Sequence, residues 1–232
     1  NSSNIYDGQD IQTLLNYGYT PLELNNLLIQ NPNFGSIDSL YNKVYQGGLI
    51  FYLDTLSGRG FVAALNDEVA TTWGWGCIIG DTIGQMTSDS LFSGENNTNL
   101  ILNGSGPACS QLGIAAELCN SSNQQAYNDW FLPSQDELAQ LYQNLFFIDS
   151  LSFASDFYWS SSEEQTIEAL YLNALGWNFI TGAAMVMPKN HTHSVRPIKD
   201  FNNSASNFIT VFEPGWNTVT VNAFGCSSTD SV

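Results

Sequence analysis

His191 and His193 stand two positions apart, a spacing that on an extended strand puts both imidazoles on one face, where they could share a transition-metal ion. No third ligand lies close in sequence, so a solvated polar turn is the simpler reading. Oxygen donors suited to calcium are plentiful, in Asn66-Asp67-Glu68, Asp81, Asp89, Glu95 and Asn97, but none of them falls in an EF-hand loop pattern. A structural calcium ion is the one cofactor this inventory suggests, with Asp67, Glu68, Asp81, Asp89 and Glu95 as its candidate ligands. Cys77, Cys109, Cys119 and Cys226 have no CxxC spacing, which argues against zinc and for one or two disulfides. Cys109 and Cys119 are the first candidates for a bridge and Cys77 the next. Cys226 could equally be a free or intermolecular thiol near a loose end, and four cysteines allow three pairings.

Catalytic inventories are thin. A serine nucleophile needs a base, and the two histidines lie together in one polar segment. There is no Gly-x-Ser-x-Gly elbow, phosphate loop or dinucleotide fingerprint, so the expectation is a protein that is not an enzyme. Charge narrows the partners. Against 22 acidic side chains stand 5 basic ones, a net charge of −17, which excludes phosphate neutralisation by clustered Lys and Arg and hence a nucleic-acid partner. It also speaks against a polybasic membrane anchor, and no apolar run reaches the roughly 18 residues of a transmembrane segment. With 43% hydrophobic residues, including 14 Phe, 10 Tyr and 6 Trp, the chain can still build a core. The scarcity of basic residues, the cysteines and an opening Asn1 in place of Met suggest an exported, processed form.

The elements that must hold these groups fall into three stretches. Residues 1–46 read as short helices: Thr20-Pro21-Leu22-Glu23 is a helix start, Ser36 opens another turn, and Leu14, Leu15, Leu22, Leu24, Leu27 and Leu28 give one apolar stripe that Leu40, Val44 and Tyr45 extend. That stripe must pack on a neighbour. From Gly47 to about 200 the texture changes to strands and long loops. Residues 49–53 and 61–65 form a hairpin, 71–106 is a Gly- and Asn-rich loop region around Trp73-Gly74-Trp75, and 107–125 reads as a helix. Ser134-Gln135-Asp136-Glu137 is a capping box opening a second helix. Strands are expected at 157–162, 169–173 and 193–198. Residues 201–232 form a β extension, with 208–212 and 218–221 as its hairpin.

Four phrases in order carry a family resemblance: Gly47-Gly48-Leu49-Ile50-Phe51-Tyr52-Leu53, Asp129-Trp130-Phe131-Leu132-Pro133-Ser134-Gln135-Asp136-Glu137-Leu138, Tyr158-Trp159-Ser160-Ser161-Ser162-Glu163, and Lys189-Asn190 ahead of Ser194-Val195-Arg196-Pro197-Ile198. Over residues 47–200 the chain resembles the bacterial surface domain called DUF1566, the C-terminal domain family of the Legionella collagen-like adhesin. The resemblance implies an α+β, C-type lectin-like domain with long ordered loops, here preceded by short helices and followed by the β-hairpin extension. It also implies an extracellular or cell-surface location and a role in adhesion. The family's sulfated-glycan binding transfers poorly to so acidic a chain.

Trp130, Leu132, Trp159 and Val195 match the family's phrases as core residues. Arg196, one of five basic groups, is expected to be ion-paired, with Asp129 or Glu163 as partner. The segment 164–187 between the closing phrases is the face that varies among such lectin-like proteins. Its Tyr171, Trp177, Phe179, Ile180 and Met185, with His191 and His193 beyond it, are the candidate ligand-binding residues, since exposed aromatics and Met suit an interface hot spot. Trp177 and Phe179 are expected outside, because Gly176 and Asn178 suggest a turn. The partner expected is a glycan or protein ligand on a surface; the alternative is a structural subunit that self-assembles through its terminal segments.

Overall fold

The computed structural model describes residues 10–74, 87–103, 112–148, 153–164 and 172–202, and the backbone of 218–223 and 226–231. The fold is α+β. Two short helices lead, α1 (Ile11–Asn16) and α2 (Pro21–Gln30). Asp10 caps the first. Thr20 and Glu23 form a reciprocal capping box on the second, with proline at its first turn. Strands β1 (Val44–Tyr45), β2 (Gly48–Leu53) and β3 (Arg59–Ala63) follow, and β4 (Glu68–Thr71) leaves for another sheet. Three helices come next, α3 (Gly94–Leu102), α4 (Ala115–Ser121) and α5 (Gln135–Leu145). The remaining strands are β5 (Phe157–Glu163), β6 (Asn173–Asn178), β7 (Ala183–Pro188), β8 (His193–Val195), β9 (Ile198–Asn202), β10 (Thr218–Ala223) and β11 (Cys226–Ser231).

These strands make a four-stranded sheet in the order β1-β2-β3-β9, a five-stranded sheet β4-β8-β5-β6-β7, and a separate β10–β11 pair. All pairings are antiparallel except β5 with β8. The expected closing strand at 193–198 is in fact two strands. Arg196-Pro197 carries the chain from β8 in one sheet to β9 in the other, because proline cannot donate to a ladder. In the tail, 218–223 pairs with 226–231, whereas the 208–212 strand expected there lies outside the described residues.

Both faces of the four-stranded sheet are buried. Ile50, Leu53, Val62 and Phe201 pack against Leu14, Leu15, Leu24 and Leu28, so the N-terminal stripe finds its neighbour within this chain. On the other face Phe51, Phe61 and Ile198 meet Leu138, Leu141 and Leu145 of α5 together with Tyr158. A third cluster joins Trp73, Trp159, Met187 and Val195 of the five-stranded sheet and its surroundings to Ile101 of α3 and Ala115, Ala116 and Cys119 of α4. Each buried Leu or Phe in these layers contributes roughly 1.5–3 kcal/mol of transfer free energy.

Two helices differ from expectation. The helix expected over 107–125 covers only Ala115–Ser121 among the described residues. Helix α3 arises inside the stretch read as loop. Its Gly-Glu-Asn-Asn-Thr-Asn start is poor in helix formers, so tertiary contacts supply what propensity lacks. Thr98 accepts from the Leu132 amide and donates to the Gly94 carbonyl, and Asn97 bonds Ser88 and Ser161.

Candidate functional site

The site is defined first by what surrounds it, a polar spine built from the motif serines. A strand alternates faces, yet Ser160, Ser161 and Ser162 of β5 are all buried, because the β5–β6 register shifts between Trp159 and Glu163. Each hydroxyl is used. Ser160 donates to the Leu175 carbonyl at 2.8 Å, Ser161 accepts from Asn97 at 3.2 Å, and Ser162 donates to the Ser88 carbonyl while accepting the Gln135 amide at 3.0 Å. Trp73 and Trp159 donate their indole N–H groups to the carbonyls of Ser160 and Thr71. The spine thus ties β6, α3, α5 and the loop at 87–93 to one strand.

Glu137 extends it. Its carboxylate accepts the Ser134 amide at 2.8 Å, closing the capping box of α5, and the Gly94 amide at 3.2 Å at the start of α3. One fully buried carboxylate therefore caps two helices. Burial raises its pKa to about 7 against the opposing pull of those amides.

The basic residues are drawn inward too. Arg196 bonds Asp67 through Nε at 2.5 Å and the Ala64 carbonyl through Nη1 at 2.8 Å, and lies 4.2 Å over the Phe153 ring. Its partner is therefore neither Asp129 nor Glu163, the two expected. Asp129 faces Lys199 at 3.1 Å, and Glu163 contacts Lys189. Asp67 reaches Arg196 because the β3–β4 connection runs past the β8–β9 crossover, a closeness across 129 positions of sequence. Arg59 pairs with Asp200 at 3.1 Å. Each of these four cations also sits over an aromatic ring.

Against this frame the hairpin β6–β7 is the exposed part. Among the described strands β7 pairs with β6 alone and ends the five-stranded sheet; its Ala183, Ala184 and Val186 are exposed, Met185 is half-covered and Met187 is buried. One face sets Gly176 and Met185 toward Trp159, while the other carries Leu175 opposite Val186 and Trp177 opposite Ala184. Gly176 is required there, since a Cβ would strike the Tyr158 carbonyl and Met187. The connecting turn is closed by Asn178, whose Oδ1 accepts the amides of Ile180 and Thr181, and by Gly182 at φ 72°, packed on the Tyr142 ring.

The expected ligand residues separate on this geometry. Gly176 and Asn178 belong to the strand and the turn begins at Phe179, so Phe179 is not outside. It is 0% exposed, packed on Tyr142, Phe146, Phe153 and Tyr158. Trp177 is half-buried 6.2 Å from the Tyr142 ring, with its indole N–H buried and without a hydrogen-bond partner among the described residues. Ile180 is 63% exposed, and Met185 is half-buried beneath the edge. Tyr171 lies outside the described residues. His191 is exposed, and His193 is wedged between Phe157 and Trp159, its pKa lowered chiefly by burial, with Asp156 opposing. Val186, 50% exposed, lies within the 164–187 segment that the sequence singles out, and Leu172, 45% exposed, is an apolar surface residue of that segment that the sequence reading did not name. Once β7 is recognised as an edge strand, alternation along it points to Val186.

The described calcium candidates do not converge. Asp67 is taken by Arg196 and by the Tyr158 hydroxyl, Glu68 accepts from Ser122 and Gln124, and Glu95 is exposed in the first turn of α3. Asp89 has a buried oxygen with no partner among the described residues, and Asp81 lies outside them. Among the described residues no three His, Cys, Asp or Glu side chains gather into a metal site. Cys119, expected in a bridge, is a free thiol, fully buried among the apolar side chains around α4, where burial raises its pKa. Cys77 and Cys109 lie outside the described residues, and only the backbone of Cys226 is described. No described helix is long and apolar enough to cross a membrane. No protein-family model matches the chain, and no curated protein matches it.

Proposed function

We propose that the chain is an exported, cell-surface binding module of C-type lectin-like fold, which serves adhesion by capturing a ligand through the β6–β7 hairpin and its neighbouring loops. One observation carries this reading. The motif residues and four of the five cations are spent on internal contacts, whereas the hairpin between the closing motifs ends in an uncharged, largely exposed edge strand. Such an edge offers free backbone donors and acceptors beside apolar side chains, the surface used in strand addition and in packing on apolar sugar faces. With a net charge of −17 and its cations occupied, the chain is ill suited to sulfated glycans, so the ligand class is an uncharged glycan or a protein.

Arrays of glycans and of surface proteins, probed with and without calcium, test the reading. The wild-type chain should bind a restricted set, and the Ile180→Glu, Val186→Glu double variant should lose at least tenfold in capture while remaining a monodisperse monomer. No binding across both arrays, or binding unchanged in the double variant, overturns it.

A second reading rests on β10–β11, which among the described strands pairs with neither of the other sheets. An isolated two-stranded hairpin is marginal alone, so docking on a neighbouring copy would make the chain an appendage subunit. Removal of 203–232 should then abolish assembly seen by sedimentation.

A further inference from the structure

Lys189 and Glu163 are the most deeply buried amine and carboxyl group that face each other in the described structure. Glu163 closes β5, and Lys189 follows the last residue of β7. Their side chains, 0% and 3% exposed, are in contact through Nζ and Oε1. The Lys189 Nζ also lies 4.3 Å from the centre of the Trp73 ring, and the Lys189 backbone is held on both sides, its amide on the Leu172 carbonyl and its carbonyl on the Trp73 amide. Glu163 is fixed by its own amide on Thr87. Both side chains therefore project from pinned backbone into one buried contact.

In water an amine and a carboxylic acid do not condense, because the ammonium–carboxylate pair is far better solvated than the neutral pair. Burial removes that solvation. Here desolvation pushes the Glu163 carboxyl up to about 7 and the Lys189 amine down, each toward the neutral form that reacts. Fixed contact supplies the rest, since well-oriented intramolecular partners reach effective molarities of about 10⁵–10⁸ M.

We propose that Lys189 and Glu163 join in an intramolecular isopeptide bond, formed by the chain itself after folding. The Nζ lone pair attacks Cδ of the protonated Glu163 carboxyl. The Nζ–Cδ bond forms, one Cδ–O bond breaks, and the hydroxyl leaves with an Nζ proton as water, with no change of oxidation state and no co-reactant. The product amide is neutral, so the cost of burying two charges disappears. The two residues are 26 positions apart, and the bond would close the whole segment 164–188, hairpin included, into a covalent ring. An exposed edge strand would then be anchored at its base by a link that neither force nor reductant opens. The inference stands apart from the ligand proposed above, for a cross-linked hairpin need not be a recognition surface.

The mass of the wild-type chain, reduced and denatured, decides the matter without a folded variant. It should lie about 18 Da, one water, below the mass of the sequence, and a digest should give one branched peptide joining the Glu163 and Lys189 segments. Lys189→Met and Glu163→Ala chains should each show the full mass of their sequences. A wild-type chain at its full sequence mass overturns the proposal, as does an 18 Da loss that persists in either variant.

Discussion

The serine spine of β5 and the β6–β7 hairpin are joined through the β5–β6 pairing, yet they treat polar groups in opposite ways. In the spine, hydroxyls, indoles and a carboxylate are buried, and the three serines, Trp73, Trp159 and Glu137 all bond named partners. In the hairpin the outer strand leaves one edge of its backbone unpaired by any described strand and turns Ala184 and Val186 outward. A buried network tolerates little change, because one lost partner strands another polar group at a cost of about 1–3 kcal/mol. An exposed edge tolerates almost any side chain that keeps a strand. The phrases that carry the resemblance are therefore those that hold the fold, and the residues proposed to meet a ligand lie between them.

The largest expected effect belongs to the frame. Arg196→Met would leave Asp67 facing the buried Tyr158 hydroxyl and the Ala64 carbonyl without its donor. Breaking such a pair costs about 3–5 kcal/mol, and the partial exposure of Asp67 favours the low end. Urea unfolding should show a lower midpoint with an unchanged slope. A loss below about 1 kcal/mol would mean that the frame is as tolerant as the edge, and the contrast would collapse.

A second effect comes from pH. Burial raises Glu137 from 4.5 to about 7, so between those values the folded chain holds a proton that the unfolded chain has released. Stability from this group is complete below about pH 4.5 and is lost as pH rises through 7, by an amount on the order of 3 kcal/mol. Denaturation at pH 5 and pH 8 should show wild type more stable at pH 5, and Glu137→Gln should flatten that difference. A free Glu163, also raised to about 7, would add a second fall of the same sign, whereas an amide at that position would not titrate. Equal stability of the wild type at both pH values would contradict the assignment.

What the sequence revealed follows the range of the interactions. The helix start at Thr20–Glu23 and the capping box at Ser134–Glu137 each span three residues, and both were legible, although the reciprocal Glu23 bond that makes the first a box as well was not read. The 49–53 and 61–65 hairpin was legible for the same reason. Helix α3 was not, because its Asn and Thr side chains find their partners on Ser88, Leu132 and Ser161. Arg196 was expected to pair, but its partner lies 129 positions away, where any of 22 acids could have served. Phe179 was misplaced because Gly176 signals close packing on Tyr158 as readily as it signals a turn. Within the segment expected to form the candidate surface, Ile180 lies outside and Phe179 does not, since which residues face out depends on which strand forms the edge.

The smallest expected change tests the other half of the contrast. Val186 is half-exposed on β7 and faces Leu175 across the pair, with no residue described beyond it on the open side of the sheet. Val186→Lys keeps a long aliphatic stem that can lie along Leu175 and places its ammonium in water. It also introduces a charge where edge strands commonly carry one to discourage pairing. Stability should therefore move by no more than about 0.5 kcal/mol, the range of ordinary surface substitutions. Calorimetry of the wild type and the variant would check this. A destabilisation comparable to that of Arg196→Met would show that β7 is packed against something in solution, and the hairpin would then be part of the frame, with no free edge left to bind.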